Sequence, residues 1–276
     1  MSPQIRPAAV AGAFYPAPPA VLAREVRTLL AQSSATEADA APPKALVVPH
    51  AGYVYSGPVA ATAYARLQRW RDRIRRVVLL GPVHRVPVRG LALPGVQAFA
   101  TPLGAVPVDA DAVAALADLP QVVQSPAAHA WEHALEVQLP FLQAVLGEGF
   151  TLVPLAVGDA SAEEVAQVLE RLWGGAETLI VVSSDLSHYH PYAQARRIDA
   201  EAVRTMLDLQ PMLDHEQACG ATPLNGLLLA ARRHHLRPEL LDLRNSGDTA
   251  GDRSRVVGYA ALSFTEPDHA RPHAVA

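Results

Sequence analysis

Three of the eleven histidines in this chain share a setting. His50 comes directly after "ALVVP", His84 after "VVLLGPV", and His188 shortly after "LIVVSS", with Asp185 between that last run and its histidine. If the three apolar runs are parallel strands, these side chains gather at one edge of a sheet. In open α/β sheets ligands bind in the crevice outside the carboxyl ends of the strands. Neutral imidazoles converging there from separate loops suit zinc, iron or copper. A carboxylate such as Asp185 could complete the coordination shell, fix a ligand tautomer from behind, or accept a proton. A single histidine in such a place usually caps its own loop. Three in equivalent places point to a metal held by His50, His84 and His188.

A rival arrangement lies in "HAWEH", residues 129 to 133. On a helix, His129 and His133 would share a face beside Glu132, the H-x-x-E-H pattern of inverted zinc peptidases. The pattern is short, and "SPAA" before it sets His129 ahead of a helix start, with Glu132 favourable in the first turn and His133 packed toward the sheet. Glu132 and His133 are therefore carried as catalytic or pocket-wall candidates and not as primary ligands. Tyr53 and Tyr55, just after His50, could line a pocket mouth or simply pack. The turn "NSGDTAGDRS" offers Ser246, Asp248 and Thr249 to the same crevice. Cys219, the only cysteine, reads as a small buried residue in a tight turn before a helix. His234, His235, His269 and His273 read as solvated.

The elements that must position these residues show in the apolar pattern. "PAVLAREVRTLLAQ" (19 to 32) has helical spacing, and "SSATEADAAPP" (33 to 43) has none, so a helix is followed by a surface loop. Strands are expected over 45 to 49, 76 to 81, 150 to 157, 178 to 184, 240 to 246 and 256 to 264. Helical periodicity fills 58 to 69, 109 to 118, 132 to 146, 161 to 173, 192 to 208 and 222 to 235. This alternation predicts an α/β/α sandwich, and the unbroken Val, Leu and Ile of several strands predicts a central sheet, mostly parallel or mixed, buried on both faces. The Pro-broken stretch 97 to 112 fits a small hairpin excursion. No internal repeat or second linker appears, so 1 to 276 reads as one domain.

Composition removes several functions. Half of the 276 residues are hydrophobic, enough for a large core, and the net charge of -4 gives no basic field for nucleic acid. A lone cysteine forms no internal disulfide and suits a reducing compartment, no apolar run spans a membrane, and the opening residues lack the pattern of an export signal. A cytoplasmic protein is expected. "GPVH" is no glycine-rich phosphate cradle, and no G-x-S-x-G elbow exists.

Seven stretches, in order along nearly the whole chain, resemble one family: "RPAAVAGAFYPA", "VVPHAGYVYSGPVAATAYA", "VVLLGPVH", "EHALEVQLPFLQ", "SSDLSHYHPY", "CGATPLNGLL" and "SGDTAGDRSRVVGYAAL". They are similar to the Memo family, whose prokaryotic members are called AmmeMemoRadiSam system protein B. The resemblance implies a fold like that of class III extradiol dioxygenases, non-haem iron enzymes. It implies that His50, His84 and His188 line the pocket corresponding to the dioxygenase metal site, with Asp185 beside them. It also implies a radical-SAM protein as a partner. Where animal members carry a pocket cysteine this chain has Thr249, which favours Fe(II) or Zn(II) over copper on ligand softness, although copper fits imidazole too. Two functions follow as expectations. One is a metal-dependent, dioxygenase-like oxidoreductase acting on a small molecule. The other is a binding or accessory protein that offers the same pocket to a peptide or partner protein.

Overall fold

The computed structural model describes residues 4–33 and 41–267. Most of the loop expected over 33 to 43, and His269 and His273, lie outside the described residues. The chain runs through β1 (Ile5–Arg6), α1 (Pro19–Gln32), β2 (Pro43–Val48), α2 (Tyr53–Ala65), β3 (Arg76–Pro82), β4 (Leu91–Leu93), β5 (Ala98–Thr101) and β6 (Gly104–Pro107). It continues through α3 (Ala110–Ala114), β7 (Val122–Gln124), α4 (Pro126–Ala130), α5 (Leu139–Leu146), β8 (Thr151–Val157), α6 (Ala162–Leu172) and β9 (Thr178–Ser183). It closes with β10 (His188–His190), α7 (Tyr192–Leu207), α8 (Ala221–Arg233), β11 (Arg237–Asn245), the single turn α9 (Ser246–Thr249) and β12 (Val256–Thr265).

The main sheet is mixed, in the order β10-β12-β2-β9-β3-β8-β4-β7, with β11 also paired to β12. Its centre is four parallel strands: β2 and β3 flank β9, and β8 lies beyond β3. Period-2 alternation sends Ala45 and Val47 of β2 into one core and Leu46 and Val48 into the other. The first core is closed by residues of α3, α6, α7 and α8. The second is closed by α1, α2 and α5. Helices therefore cover both faces, which is why these strands read as continuous apolar runs. The stretch 97 to 112 does form a hairpin, β5 against β6, and β1 adds to it in a separate three-stranded sheet.

The structure departs from the expected helix over 132 to 146. Pro140 has no N–H and its ring clashes with a carbonyl one turn back, so it is favoured in the first turn of a helix. The α-helix accordingly starts at Leu139, a 3-10 turn covers Glu136–Gln138, and α4 stops at Ala130. Residues 131 to 135 are left as irregular chain between two short helical pieces.

Candidate metal centre

β2, β9 and β3 are adjacent and parallel, so their carboxyl ends open at one edge. His50 lies two residues beyond the end of β2, His84 two beyond β3, and Asp185 two beyond β9. The irregular stretch after α4 brings in His133. Ligand atoms of His50, His84 and His133 lie within 4.8 Å of one another. The ring centroids of His50 stand 5.3 Å from both His84 and His133, and those of His84 and His133 are 4.7 Å apart.

The outer side of each ring is held. Ser183 Oγ donates to the Ala134 carbonyl at 2.7 Å and accepts from Gln138 Nε2 at 2.8 Å. Its one remaining acceptor site faces His50 Nδ1 at 2.9 Å, so Nδ1 carries the proton and Nε2 keeps a free lone pair. His84 Nδ1 donates to Glu132 Oε1 at 2.8 Å, which frees its Nε2 in the same way. The same carboxylate oxygen stands 3.3 Å from His133 Nδ1. Glu132 also accepts from the backbone N–H of His84 at 2.7 Å and of Ala134 at 2.9 Å. Burial alone would raise its pKa, but the hydrogen bonds from His84 and Ala134 bring it down to about 2. Burial, reinforced by the neighbouring His84, lowers the His50 pKa to about 3; burial and His50 lower that of His133 to about 4. At neutral pH both imidazoles are uncharged and able to ligate.

Asp185 is 4% exposed and accepts the His50 backbone N–H at 2.7 Å. Burial pushes its carboxyl upward against that hydrogen bond. It lines a cavity of about 660 Å3 together with the three clustered histidines, His188 and Tyr55. His188 thus reaches the cavity but stands outside the three-imidazole cluster, where His133 takes the third place. The reason is topological: the chain after β9 does not stop at the strand end but turns into the short edge strand β10, whose His188 pairs with Val257 of β12. Its loop is tied down by Asp199 of α7, which accepts the Ser187 N–H at 3.0 Å.

The other candidates divide. Tyr55 and Ser246 line the cavity. Tyr53 does not: successive helix residues turn by about 100°, so positions two apart face away from each other, and Tyr53 is buried with its hydroxyl on the Val137 carbonyl at 2.8 Å. Asp248 and Thr249 close the α9 turn instead of facing the cavity. Asp248 caps Asn245 and accepts from the Tyr192 hydroxyl at 2.6 Å, and Thr249 Oγ1 is 3.4 Å from the Ser246 carbonyl. The pattern around His129 breaks as well. His129 Nε2 donates to the Ala92 carbonyl at 2.7 Å, inside the core and away from the cluster. Of the pair expected to be solvated, His234 instead stacks on Trp173 with centroids 3.7 Å apart and meets Glu170 at 2.7 Å.

Sequence reasoning assigned no site role to four residues that touch this region. Phe14 lines the cavity and packs on His133 with centroids 4.6 Å apart. Tyr189 and Arg255 also line the cavity. Cys219 sits in the turn before α8, where Gly220 lets the backbone approach β9: a Cβ at Gly220 would come within 2.7 Å of Ser184 Cβ. That approach puts Cys219 Sγ 3.4 Å from His50 Nε2. Burial pushes the thiol up to about 12, so at neutral pH it is protonated, and the Asp185 carbonyl at 3.6 Å accepts its weak S–H, which leaves the His50 lone pair to the cluster.

Residues 6–263 match the family model described as Memo-like protein. A MEMO1 family protein of Ignicoccus hospitalis is 35% identical over 95% of this chain and 99% of its own length. One of Methanopyrus kandleri is 37% identical over 94% of this chain and 98% of its own. Among solved structures, an uncharacterized protein of Escherichia coli K12, JW3007, superposes with a TM-score of 0.52 at 17% identity, covering 79% of this chain and 98% of that one. At that identity the likeness is one of fold.

Proposed function

The chain belongs to the Memo family, and from the geometry of its histidine cluster we propose that it is a metal-dependent oxidoreductase. The ion is divalent, Fe(II) or Zn(II), held by His50, His84 and His133. The observation that carries this reading is the arrangement behind the rings. Ser183 and Glu132 hold the Nδ1 sides of His50 and His84 and leave their Nε2 lone pairs free in a cluster whose ligand atoms lie within 4.8 Å of one another. Ligands that share an ion at ~2.1 Å stand roughly 3 to 3.5 Å apart, a spacing these atoms reach by a small closing movement. An all-imidazole set beside a protonated thiol favours Fe(II) or Zn(II) over Cu(I).

An ion held by these three histidines would supply Lewis-acid or redox chemistry to a small ligand in the cavity. The protein supplies the remainder. Asp185, buried and shifted upward, is placed to hold or pass a proton at the cavity floor. His188 faces the cavity without belonging to the cluster and serves as a second proton donor or as a hydrogen-bond partner for substrate. Glu132 has no part in proton transfer, because its oxygens are committed to His84 and Ala134. Cooperation with a radical-SAM protein is carried over from the family resemblance.

The test is metal content after purification without chelators or an affinity tag, followed by titration of Fe(II) and Zn(II). Wild type should hold one equivalent. His50→Ala and His133→Ala should hold none, and His188→Ala should keep the ion while losing metal-dependent ligand binding. Loss of the ion in His188→Ala with retention in His133→Ala would overturn the ligand set. Absence of dioxygen uptake by Fe(II)-loaded protein with any small oxygen-donor ligand would move the reading to a binding or accessory protein.

A further inference from the structure

Among the described residues a single Lys or Arg side chain, that of Arg255, lines the cavity over the histidine cluster. Two carboxylates share the lining, Asp185 and Asp252, and neither pairs with the Arg255 side chain. Asp185 accepts from the His50 backbone N–H, and Asp252 Oδ1 accepts from Ser254 N at 2.7 Å and Ser254 Oγ at 2.5 Å. Among the described residues no carboxylate forms an ion pair with Arg255, whereas Arg253, two residues earlier, lies 3.8 Å from Asp248. The contact Arg255 does make is with a ring: its guanidinium carbon lies 5.1 Å from the centroid of Tyr189.

Tyr189 is held there at a cost. Its φ of 60° is in the left-handed region, which aromatic side chains rarely adopt, and the β10–β12 pairing is irregular between His188 and His190. The ring is 62% exposed, so core burial does not explain the conformation. Strained backbone of this kind persists where the surroundings over-determine it, and it clusters at ligand sites. A guanidinium held over an aromatic ring by a cation–π contact still has its planar fork of donors to offer, the geometry that matches a carboxylate or phosphate with two parallel hydrogen bonds. Phe14 and Tyr55 supply flat apolar wall on the same cavity. Its volume of about 660 Å3 lies within the range of small-molecule sites.

We infer that the cavity takes a small oxyanion carried on a flat, apolar body, with the anionic group paired to Arg255 and the opposite end directed at the histidine cluster. The second half of this statement rests on the metal reading above; the first half does not. Arg255 is then a specificity-determining residue: it selects charged over neutral ligands of the same shape.

Benzohydroxamate, 4-carboxybenzohydroxamate and 4-phosphonobenzohydroxamate test it, titrated by calorimetry into Zn(II)-loaded wild type and Arg255→Gln. In wild type the carboxylated or the phosphonate probe should bind about tenfold more tightly than the parent, the worth of one charge-assisted pair. In Arg255→Gln that ratio should fall to about one, and Arg255→Lys should restore part of it. Which of the two anions gains more identifies the group the site prefers. Equal ratios in wild type and Arg255→Gln would overturn the proposal. If no hydroxamate responds to metal, the metal reading fails on its own. The anion site is then read on metal-free protein, where benzoate should shift amide resonances of wild type and not of Arg255→Gln; no shift in wild type overturns it.

Discussion

At the scale of the residue, the contacts that decide the chemistry are on the far sides of the rings. Glu132 orients His84 and stands beside His133 from behind, so Glu132→Gln should lower metal affinity by ten- to a hundredfold without changing stoichiometry, as measured by competition with a chromophoric chelator. His129 supplies the pH-dependent counterpart outside the cluster. Its Nε2 is committed to the Ala92 carbonyl, and among the described residues its buried Nδ1 has no partner, so a proton added at Nδ1 would have no acceptor there. Burial lowers its pKa to about 4, against an unfolded value of roughly 6.5. Between those values the unfolded chain binds more protons than the folded one. The stabilisation is therefore complete above about pH 6.5 and is lost as pH falls toward 4, by at most about 1.4 kcal/mol per pH unit for this residue. Urea melts of metal-free protein across that window should show a shallower slope for His129→Gln, which keeps the donor to Ala92 and does not titrate. An unchanged slope would place the acid sensitivity elsewhere. None of this was legible in the sequence: "HAWEH" offers three side chains of ligand type, and only the backbone path decides that His133 is at the site, Glu132 behind it and His129 in the core.

At the scale of the element, the strands were legible and the irregular connections were not. Runs such as "VVLLG" and "TLIVVSS" carry the two-sided burial pattern of strands covered on both faces, and if such strands are parallel the crevice and the approach of His50, His84 and Asp185 follow from spacing. Apolar periodicity through 132 to 146 places His133 in a helix, but the steric demand of Pro140 outweighs it and the helix starts at Leu139. The segment Arg6 to Tyr15 gave no periodic signal at all, yet it forms a wall of the site through Phe14. It is held by the fully buried Glu136, which pairs with Arg6 at 2.6 Å and accepts from Ala9 N, Val10 N and the Tyr15 hydroxyl. Removing one member of a buried pair leaves an uncompensated charge and costs about 3 to 5 kcal/mol. Glu136→Gln should fall near the lower end of that range in urea melts, and hydrogen exchange at Ala9 and Val10 should accelerate more than in the central strands. Loss of stability without selective exchange at those two amides would show that the segment is held by something other than Glu136.

At the scale of the whole molecule, the three proposed ligands come from positions 50, 84 and 133, set beyond β2, beyond β3 and after α4, and nothing brings them together except the completed sheet and the loops behind it. The unfolded chain offers no preformed site, so the ion binds the native state selectively and its binding free energy adds to folding stability. Free metal at a hundred times its dissociation constant stabilises by about 2.7 kcal/mol. For a domain of this size that corresponds to a rise in melting temperature of about 5 to 10 °C. Scanning calorimetry of wild type with Zn(II) should show that rise, and a chelator should reverse it. His50→Ala and His133→Ala should melt at one temperature with or without metal. His188→Ala should keep the wild-type shift, because its side chain lines the cavity without joining the cluster. A rise that survives in His50→Ala would mean the ion sits elsewhere on the surface. A rise abolished in His188→Ala would mean that β10 moves inward to supply a ligand, in place of His133 or beside it.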